Sequence, residues 1–301
     1  MRLHNLKGNL LLLLTAVIWG SAFVAQRSGM DHMPPIAFNG IRMLMAGIAM
    51  LPVFAFLRRR GVREPEPPAR EKRQRLAGIL CGLALFAAST LQQTGMVYTT
   101  AGKAGFISAM YVVLVPLAAW ALFRRRPGAV VGVGVAMAVP GLCLLCVPAG
   151  DFSLNRGDLW VLGSAFCYTA HILFVDRYSP GVDCVRLARD QMLVCGTVGI
   201  VASLLGGETV TWEGICEAAI PLLYAGLLSG AVAYTLQIVA QKETNPTVAS
   251  LLMCLESVFA VLAGALILGE RMSAREALGC AIMFAAVVLA QLGNTGKTEN
   301  G

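Results

Sequence analysis

Charge is scarce in this chain. Only 14% of its 301 residues are Asp, Glu, Lys or Arg, while 57% are apolar and the mean hydropathy is +0.69. Soluble domains average roughly 25% charged and about 45–50% apolar residues. A soluble globule of this length could not hide so much apolar surface, so that class is excluded. The motifs of common chemistries are also missing. No segment carries a Gly-x-x-x-x-Gly-Lys-Ser/Thr phosphate loop, a His-Glu-x-x-His zinc helix or a Gly-x-Ser-x-Gly nucleophile elbow. Arg-rich voltage-sensing helices and a carbonyl filter motif are absent too, which argues against an ion channel. Nothing points to a cofactor, a metal or nucleic acid.

What the chain does contain is a series of long apolar runs. A spanning helix needs about 20 mostly apolar residues. Ten such spans are expected, at 9–26, 35–57, 76–97, 102–123, 128–148, 158–176, 188–206, 216–238, 246–268 and 275–293. In hydrocarbon every backbone amide needs a partner, so these runs read as helices; a closed barrel would show short alternating strands, and none is visible. The first run follows Arg2 and Lys7 as a secretory signal would, but nine further spans follow it and it is read as a retained helix. The fold class expected is all-α integral membrane, one membrane domain.

The second half of the chain repeats the first. Gly8-Asn9-Leu10 aligns with Gly157-Asp158-Leu159, Trp19 with Tyr168, and Gly47 with Gly196, an offset of 149. From the third span the offset falls to 145, with Gln92 on Gln237, Ala104 on Ala249 and Gly134 on Gly279. The difference is assigned to the loop Arg58–Arg75, read as a solvated basic linker that is longer in the first copy. The expected units are 1–148 and 149–301, five spans each. Because five is odd, the second repeat enters the bilayer upside down, the inverted-repeat plan of many secondary transporters.

The net charge of +7 reads as a topology signal. With the N-terminus inside, 18 Lys and Arg residues fall on the cytoplasmic side, and only Arg27, Lys103, Arg156, Arg271 and Arg275 near the other face. Such a bias puts both termini in the cytoplasm. The nine cysteines fall mostly within spans, and the Cys143/Cys146 pair reads as small packing residues, not a redox or metal pair.

Polar residues inside spans are the pointers to a solute path, because a charge at mid-membrane costs at least about 2.5–3.5 kcal/mol and must face protein or water. Glu256 lies about ten residues into the ninth span, roughly 15 Å deep at 1.5 Å per residue. It can carry a proton or bind a cationic group, or act as a structural carboxylic acid. Tyr111 occupies the same place in the first repeat. Gln92 and Gln237 form a second matched pair, suited to orient a polar solute or to bond helices together. Trp19 and Tyr168 form a third, expected nearer the distal ends of the first and sixth spans, to stack a solute or fill the core. His171 is the other group able to titrate near neutral pH; a packed, hydrogen-bonded residue is the alternative. Arg42 and Lys103 are expected a few residues inside the outer ends of their spans, within snorkelling reach of water.

Several stretches are similar to one known family. These are Ala16-Val17-Ile18-Trp19-Gly20-Ser21-Ala22-Phe23, Thr100-Ala101-Gly102-Lys103-Ala104-Gly105-Phe106, Ala240-Gln241-Lys242, and Leu255-Glu256-Ser257-Val258-Phe259-Ala260 through Leu268-Gly269-Glu270-Arg271. With the duplication, they resemble the drug/metabolite transporter superfamily, in particular its ten-helix EamA branch. The resemblance implies two inverted five-helix repeats around a cavity lined mainly by the first, third, fourth, sixth, eighth and ninth helices, with the fifth and tenth peripheral and available for a homodimer. It also implies a bacterial inner-membrane location and small solutes such as amino acids and drugs, usually exported. Family members commonly have proline after the ninth-helix glutamate. Ser257 stands there in this chain, which puts local unwinding of that helix in doubt.

The expected function is therefore a secondary transporter, not an enzyme. Trp19, Gln92, Tyr111, Tyr168, Gln237 and Glu256 would meet the solute, and Glu256 and His171 are the proton-coupling candidates. The partners are a small solute and the lipid bilayer. Two other classes compete: an integral-membrane enzyme acting on a lipid or metabolite, which would need paired acids or histidines near one face, and a transporter-like sensor, which would tolerate loss of Gln92.

Overall fold

The computed structural model of the protein describes residues 3–59, 68–99, 101–124, 126–147, 155–267 and 272–295. Among the described residues there is no strand, and ten helical stretches are long and apolar enough to cross a membrane. The first three spans are α1 (Leu3–Met30), α2 (Pro35–Arg59) and α3 (Pro68–Met96). The fourth is split into α4 (Ala101–Ser108) and α5 (Tyr111–Phe123), and α6 (Ala129–Cys146) is the fifth. In the second half α7 (Arg156–Tyr178) and α8 (Cys184–Leu205) are followed by a short surface helix α9 (Trp212–Glu217). The eighth span joins α10 (Ala219–Leu223), a π-helical segment (Tyr224–Ala233) and α11 (Tyr234–Gln241). The ninth is split into α12 (Pro246–Met253) and α13 (Glu256–Ile267), and α14 (Ala274–Thr295) is the tenth.

Local sequence explains where several helices begin. Asn155 and Asp158 form a reciprocal capping box at the start of α7. The Asp183 carboxylate accepts from the backbone N–H groups of Val185 and Arg186 at α8, and the Asn245 side chain accepts from Thr247 N–H with Pro246 in the first turn of α12. One expectation is corrected here. The stretch Arg58–Arg75 is not all loop: α2 runs on to Arg59 and α3 already starts at Pro68. Its charged first turns project past the apolar core, where i,i+4 pairing of Glu71 with Arg75 supports helix. The remainder of that linker, with Arg60, Arg63, Glu64 and Glu66, lies outside the described residues, as do Arg2, Thr100, Arg125, Leu268 to Arg271 and Lys297.

The two halves touch reciprocally. A Cβ at Gly134 would stand 2.8 Å from the carbonyl oxygen of Ala286, and one at Gly279 would stand 2.8 Å from that of Gly141. Under the 145-residue offset these two contacts exchange. Where α2 crosses α8, Gly47 likewise faces Leu193 and Gly196 faces Leu44, which exchange under the 149-residue offset. Contacts that swap in this way are those of a twofold relation. They occur where glycine lets two backbones approach, the usual way of packing helices in a membrane, where lipid tails are as apolar as Leu.

The repeats are also tied at both ends of the bundle. Where α3 begins, Glu71 forms a two-pronged ion pair with Arg186 of α8, one prong at 2.6 Å, and Gln74 exchanges hydrogen bonds with the backbone of Asp183. At the opposite end the Glu208 carboxylate accepts from the backbone N–H groups of Ile36 (3.2 Å) and Ala37 (2.8 Å), capping α2. An anion suits that position because the first-turn N–H groups are unpaired and the helix dipole is positive there.

Candidate functional site

Two breaks build the centre of the molecule. The fourth span stops at Ser108 and resumes at Tyr111; the ninth stops at Met253 and resumes at Glu256. The 145-residue offset carries one break onto the other, and their hydrogen bonds match. Met110 N–H reaches the Ile107 carbonyl (3.2 Å) and Val112 N–H that of Ala109 (3.0 Å), while Leu255 N–H reaches Leu252 and Ser257 N–H reaches Cys254, both at 3.2 Å. Each break is thus a tightened i→i−3 turn, which rotates the helical half that follows. The doubt raised by Ser257 is resolved: the ninth span breaks without proline. The breaks also touch each other, since the Cys254 thiol donates to the Ala109 carbonyl at 3.5 Å. Tyr111 and Glu256, the first residues after the breaks, meet across the repeat boundary, with the phenol donating to the carboxylate at 3.4 Å.

The eighth span contributes differently. Over ten residues, Tyr224–Ala233, it winds as a π-helix. Such segments loosen the usual backbone ladder and recur at functional sites. Here α1 takes up one of its carbonyls: Trp19 Nε1 donates to Ser229 O (3.2 Å), while Thr15 Oγ1, 2.9 Å from Leu11 O of its own helix, also stands 3.3 Å from Ala233 O. Ser21 Oγ and Tyr224 Oη add a 2.6 Å hydrogen bond. Composition gives no sign of this winding, because Gly226, Ser229 and Gly230 fit an ordinary packing stripe equally well.

A cavity enclosing ≈ 560 Å³ of atom-free space, part of it open to the outside, lies between these elements. Trp19, Gln92, Tyr111, Tyr168, His171, Gln237 and Glu256 all stand in its wall. Trp19 and Tyr168 sit near the middle of α1 and α7, not toward their distal ends as expected. Tyr168 Oη donates to Gln92 Oε1 at 2.9 Å. Gln237 Nε2 donates to Gln241 Oε1 at 3.0 Å, and Gln237 Oε1 has no partner. His171 Nε2 lies 3.0 Å from Gln191 Oε1 and its ring stands edge-on to Tyr234. Glu256 is 8% exposed and forms no ion pair among the described residues.

Other wall residues were not singled out as contacts. Phe23 and Gln26 follow Trp19 at i+4 and i+7 on one face of α1, a spacing the sequence did display. Ser229 lies within the π-helical segment and Tyr234, with its ring 4.7 Å from that of Trp19, just after it. Arg42 is also in the wall. It is 3% exposed and Lys103 6%, so both are packed inside protein instead of snorkelling to the membrane edge. Among the described residues no group of three or more His, Cys, Asp or Glu side chains could hold a metal ion, and none of the nine cysteines is in a disulfide.

Comparison with known proteins agrees with this architecture. A model of the EamA-like transporter family matches twice, at residues 6–147 and 155–292. An uncharacterized transporter of Archaeoglobus fulgidus is 30% identical over 96% of this chain and 87% of its own length. The uncharacterized inner membrane transporter YedA of Escherichia coli strain K12 is 29% identical over 92% of this chain and 88% of its own. One solved crystal structure superposes with a TM-score of 0.77, covering 95% of this chain and 96% of that one at 17% identity, a likeness of fold alone. Ten spans, two breaks at one repeat position and a match to each half of the chain lead to one assignment: this multi-pass membrane protein belongs to the EamA-like transporter family.

Proposed function

We propose that the protein is a secondary transporter that exports small metabolites, such as amino acids or drug-like solutes, across the bacterial inner membrane by alternating access. The observation that carries this reading is the apposition of Tyr111 and Glu256 at two matching helix breaks in the wall of a central cavity. A carboxyl group with no ion-pair partner in the middle of a membrane is costly unless it is neutral or meets a cationic group. Glu256 is therefore assigned the exchange of a proton for solute, with His171 as the second group in the wall able to exchange one. Gln92 and Gln237 orient the polar part of the solute, and Trp19 and Tyr168 provide aromatic surface for its apolar part.

The two repeats supply the motion. Each broken span can turn one half against the other, and the reciprocal glycine contacts at α2/α8 and α6/α14 give surfaces on which the bundles rock while the cavity stays fixed. The ties at the two ends act as alternating latches: Glu71 with Arg186 at one face, Glu208 on the start of α2 at the other. The excess of Lys and Arg supports an orientation with the Glu71 face and both termini in the cytoplasm. The outer sides of α6 and α14 carry exposed Val133, Leu278 and Val288, the surface assigned to lipid or to a homodimer.

The test starts from metabolites that differ between cells with and without the protein. Each is loaded into liposomes containing the purified protein, and its efflux is followed under an imposed pH gradient. Accelerated efflux of at least one solute is expected, with Glu256→Gln losing the response to the gradient. Absence of any movement contradicts transport; unchanged pH dependence in Glu256→Gln contradicts the proton role.

A further inference from the structure

From the geometry of its wall we infer that the cavity takes solutes bearing a carboxylate, and that Arg42 is the residue that receives it. The inference rests on the cavity being the solute path. Arg42 stands in the wall and is 3% exposed. Its Nη2 donates to Asn39 Oδ1 at 2.9 Å, and its Nε has no hydrogen-bond partner. Among the described residues no carboxylate forms an ion pair with it, although Glu256 lines the same cavity. A guanidinium held inside a membrane protein without a counter-ion calls for an anion, and its planar fork of donors matches a carboxylate.

The surroundings aim the group. Asn39 Nδ2 donates to Ser89 Oγ (2.9 Å) and to Thr90 Oγ1 (3.2 Å) on α3, so the Asn39 side chain is fixed with its oxygen toward Arg42. That leaves an oriented cation with most of its five N–H donors uncommitted, the buried Nε–H among them. The repeat shows the arrangement is particular to one side. The position matching Arg42 in the second repeat is Gln191, engaged with His171, and the position matching Asn39 is Ala188. A structural role common to both α2 and α8 would not need Arg on one and Gln on the other. The cavity is therefore polarised: a cation on the first repeat, the Glu256 carboxyl on the second, and the rings of Trp19, Tyr168 and Tyr234 also in the wall. A solute with a carboxylate at one end and an apolar body fits that order.

The test uses purified full-length protein in discs of zwitterionic lipid and three probes that share one apolar body: 4-methylpentanoate, 4-methylpentanamide and 4-methylpentylamine. Binding is read from tryptophan fluorescence, with Trp19→Phe as the blank that identifies the signal from the cavity wall. The carboxylate is expected to half-saturate the signal at a concentration about tenfold lower than the amide, because only the anion completes the guanidinium pair. Arg42→Gln should bring the two probes to within about twofold, and Arg42→Lys, which keeps the charge without the fork, should retain part of the preference. Arg42→Lys against wild type decides the matter should the glutamine variant not fold. Equal or tighter binding of the amide, no response to the carboxylate, or an unchanged preference in Arg42→Gln overturns the inference. Transport of an amine or amide alongside any of these results leaves the transport reading standing. Carboxylate binding without movement of solute in liposomes sinks the transport reading and spares Arg42.

Discussion

The same seam is built twice in this molecule, and the two versions differ. Where α7 meets α3, the helix of the first repeat is regular and offers no free backbone, so Tyr168 donates to the side chain of Gln92. Where α1 meets the eighth span, the π-helical segment offers carbonyls, and Trp19 donates to the backbone of Ser229. Gln237, the counterpart of Gln92, is left with an unpartnered oxygen in the cavity wall. The charged residues follow the same division: Glu256 opposes Tyr111, and Arg42 opposes Gln191. One architecture, duplicated, has kept its glycine contacts at α2/α8 and α6/α14 symmetric and made its polar contacts asymmetric. Symmetric packing suits two states of similar energy, and under the proposed function asymmetric polar groups would give the solute an orientation.

The largest effect is expected at the matched breaks. Tyr111→Phe removes one long hydrogen bond and should leave pH-driven transport largely intact, whereas Glu256→Gln should bring it to the level of empty liposomes. Equal losses in the two variants would show that the breaks, not the carboxyl, carry the coupling.

Packing beside those breaks comes next. A Cβ at Gly20 would stand 2.6 Å from the Glu256 carbonyl oxygen and 2.7 Å from the Phe259 Cβ, while its counterpart on α7 is Thr169. Exchanging the residues separates the sides. Gly20→Thr overpacks a backbone contact and should destabilise by about 3 kcal/mol or more, at the upper end for such insertions. Thr169→Gly should cost less, about 1–2 kcal/mol, a few tenths of it from helix propensity and the rest from emptying a buried site. Thermal melting in detergent reads both, and similar losses would mean the α1/α13 contact is no tighter than α7/α5.

Tyr168→Phe and Trp19→Phe sharpen the seam itself. Each removes a hydrogen bond worth about 1 kcal/mol, roughly a fivefold change in solute affinity if the freed acceptor competes for solute. Tyr168→Phe should change affinity, because Gln92 faces the cavity; Trp19→Phe should chiefly change stability, because the Ser229 carbonyl belongs to the helix backbone. Direct binding and melting on the same samples check the split.

The smallest effect is expected at the latches. The Glu71 and Arg186 side chains are 28% and 19% exposed, so Glu71→Gln should cost no more than about 1 kcal/mol, less at high salt. Melting at low and high ionic strength tests this; a loss that salt does not reduce would mark the pair as more deeply held than its exposure implies.

Much of this was legible before the coordinates. Apolar runs of the right length point to ten spans because bilayer thickness leaves few alternatives, and repeat offsets read from residues such as Gly134 and Gly279 pick out equivalent positions in the packing of the two halves. The matched polar pairs were legible for the same reason: a polar group in a span is conspicuous, and Gln92 with Gln237 or Tyr111 with Glu256 are found by offset alone. The breaks were not. Sequences such as Ser108-Ala109-Met110 and Met253-Cys254-Leu255 carry neither proline nor glycine, so nothing local marks the turns. The π-helical winding was equally hidden, since Gly226, Ser229 and Gly230 read as an ordinary packing stripe. Arg42 was visible as an intramembrane charge, but its burial could be learned only from the packing of α2.

The most direct test is a pair of distance measurements across the cavity, one at each end of the bundle. Spin labels at Tyr98 and Leu266 report the end where α3 finishes, and labels at Lys72 and Glu243 the end where it begins, in a background with the accessible cysteines replaced. Rocking of the repeats predicts two distance populations at each end that shift in opposite senses when solute or pH is changed. A single population at both ends, unmoved by either, would contradict alternating access.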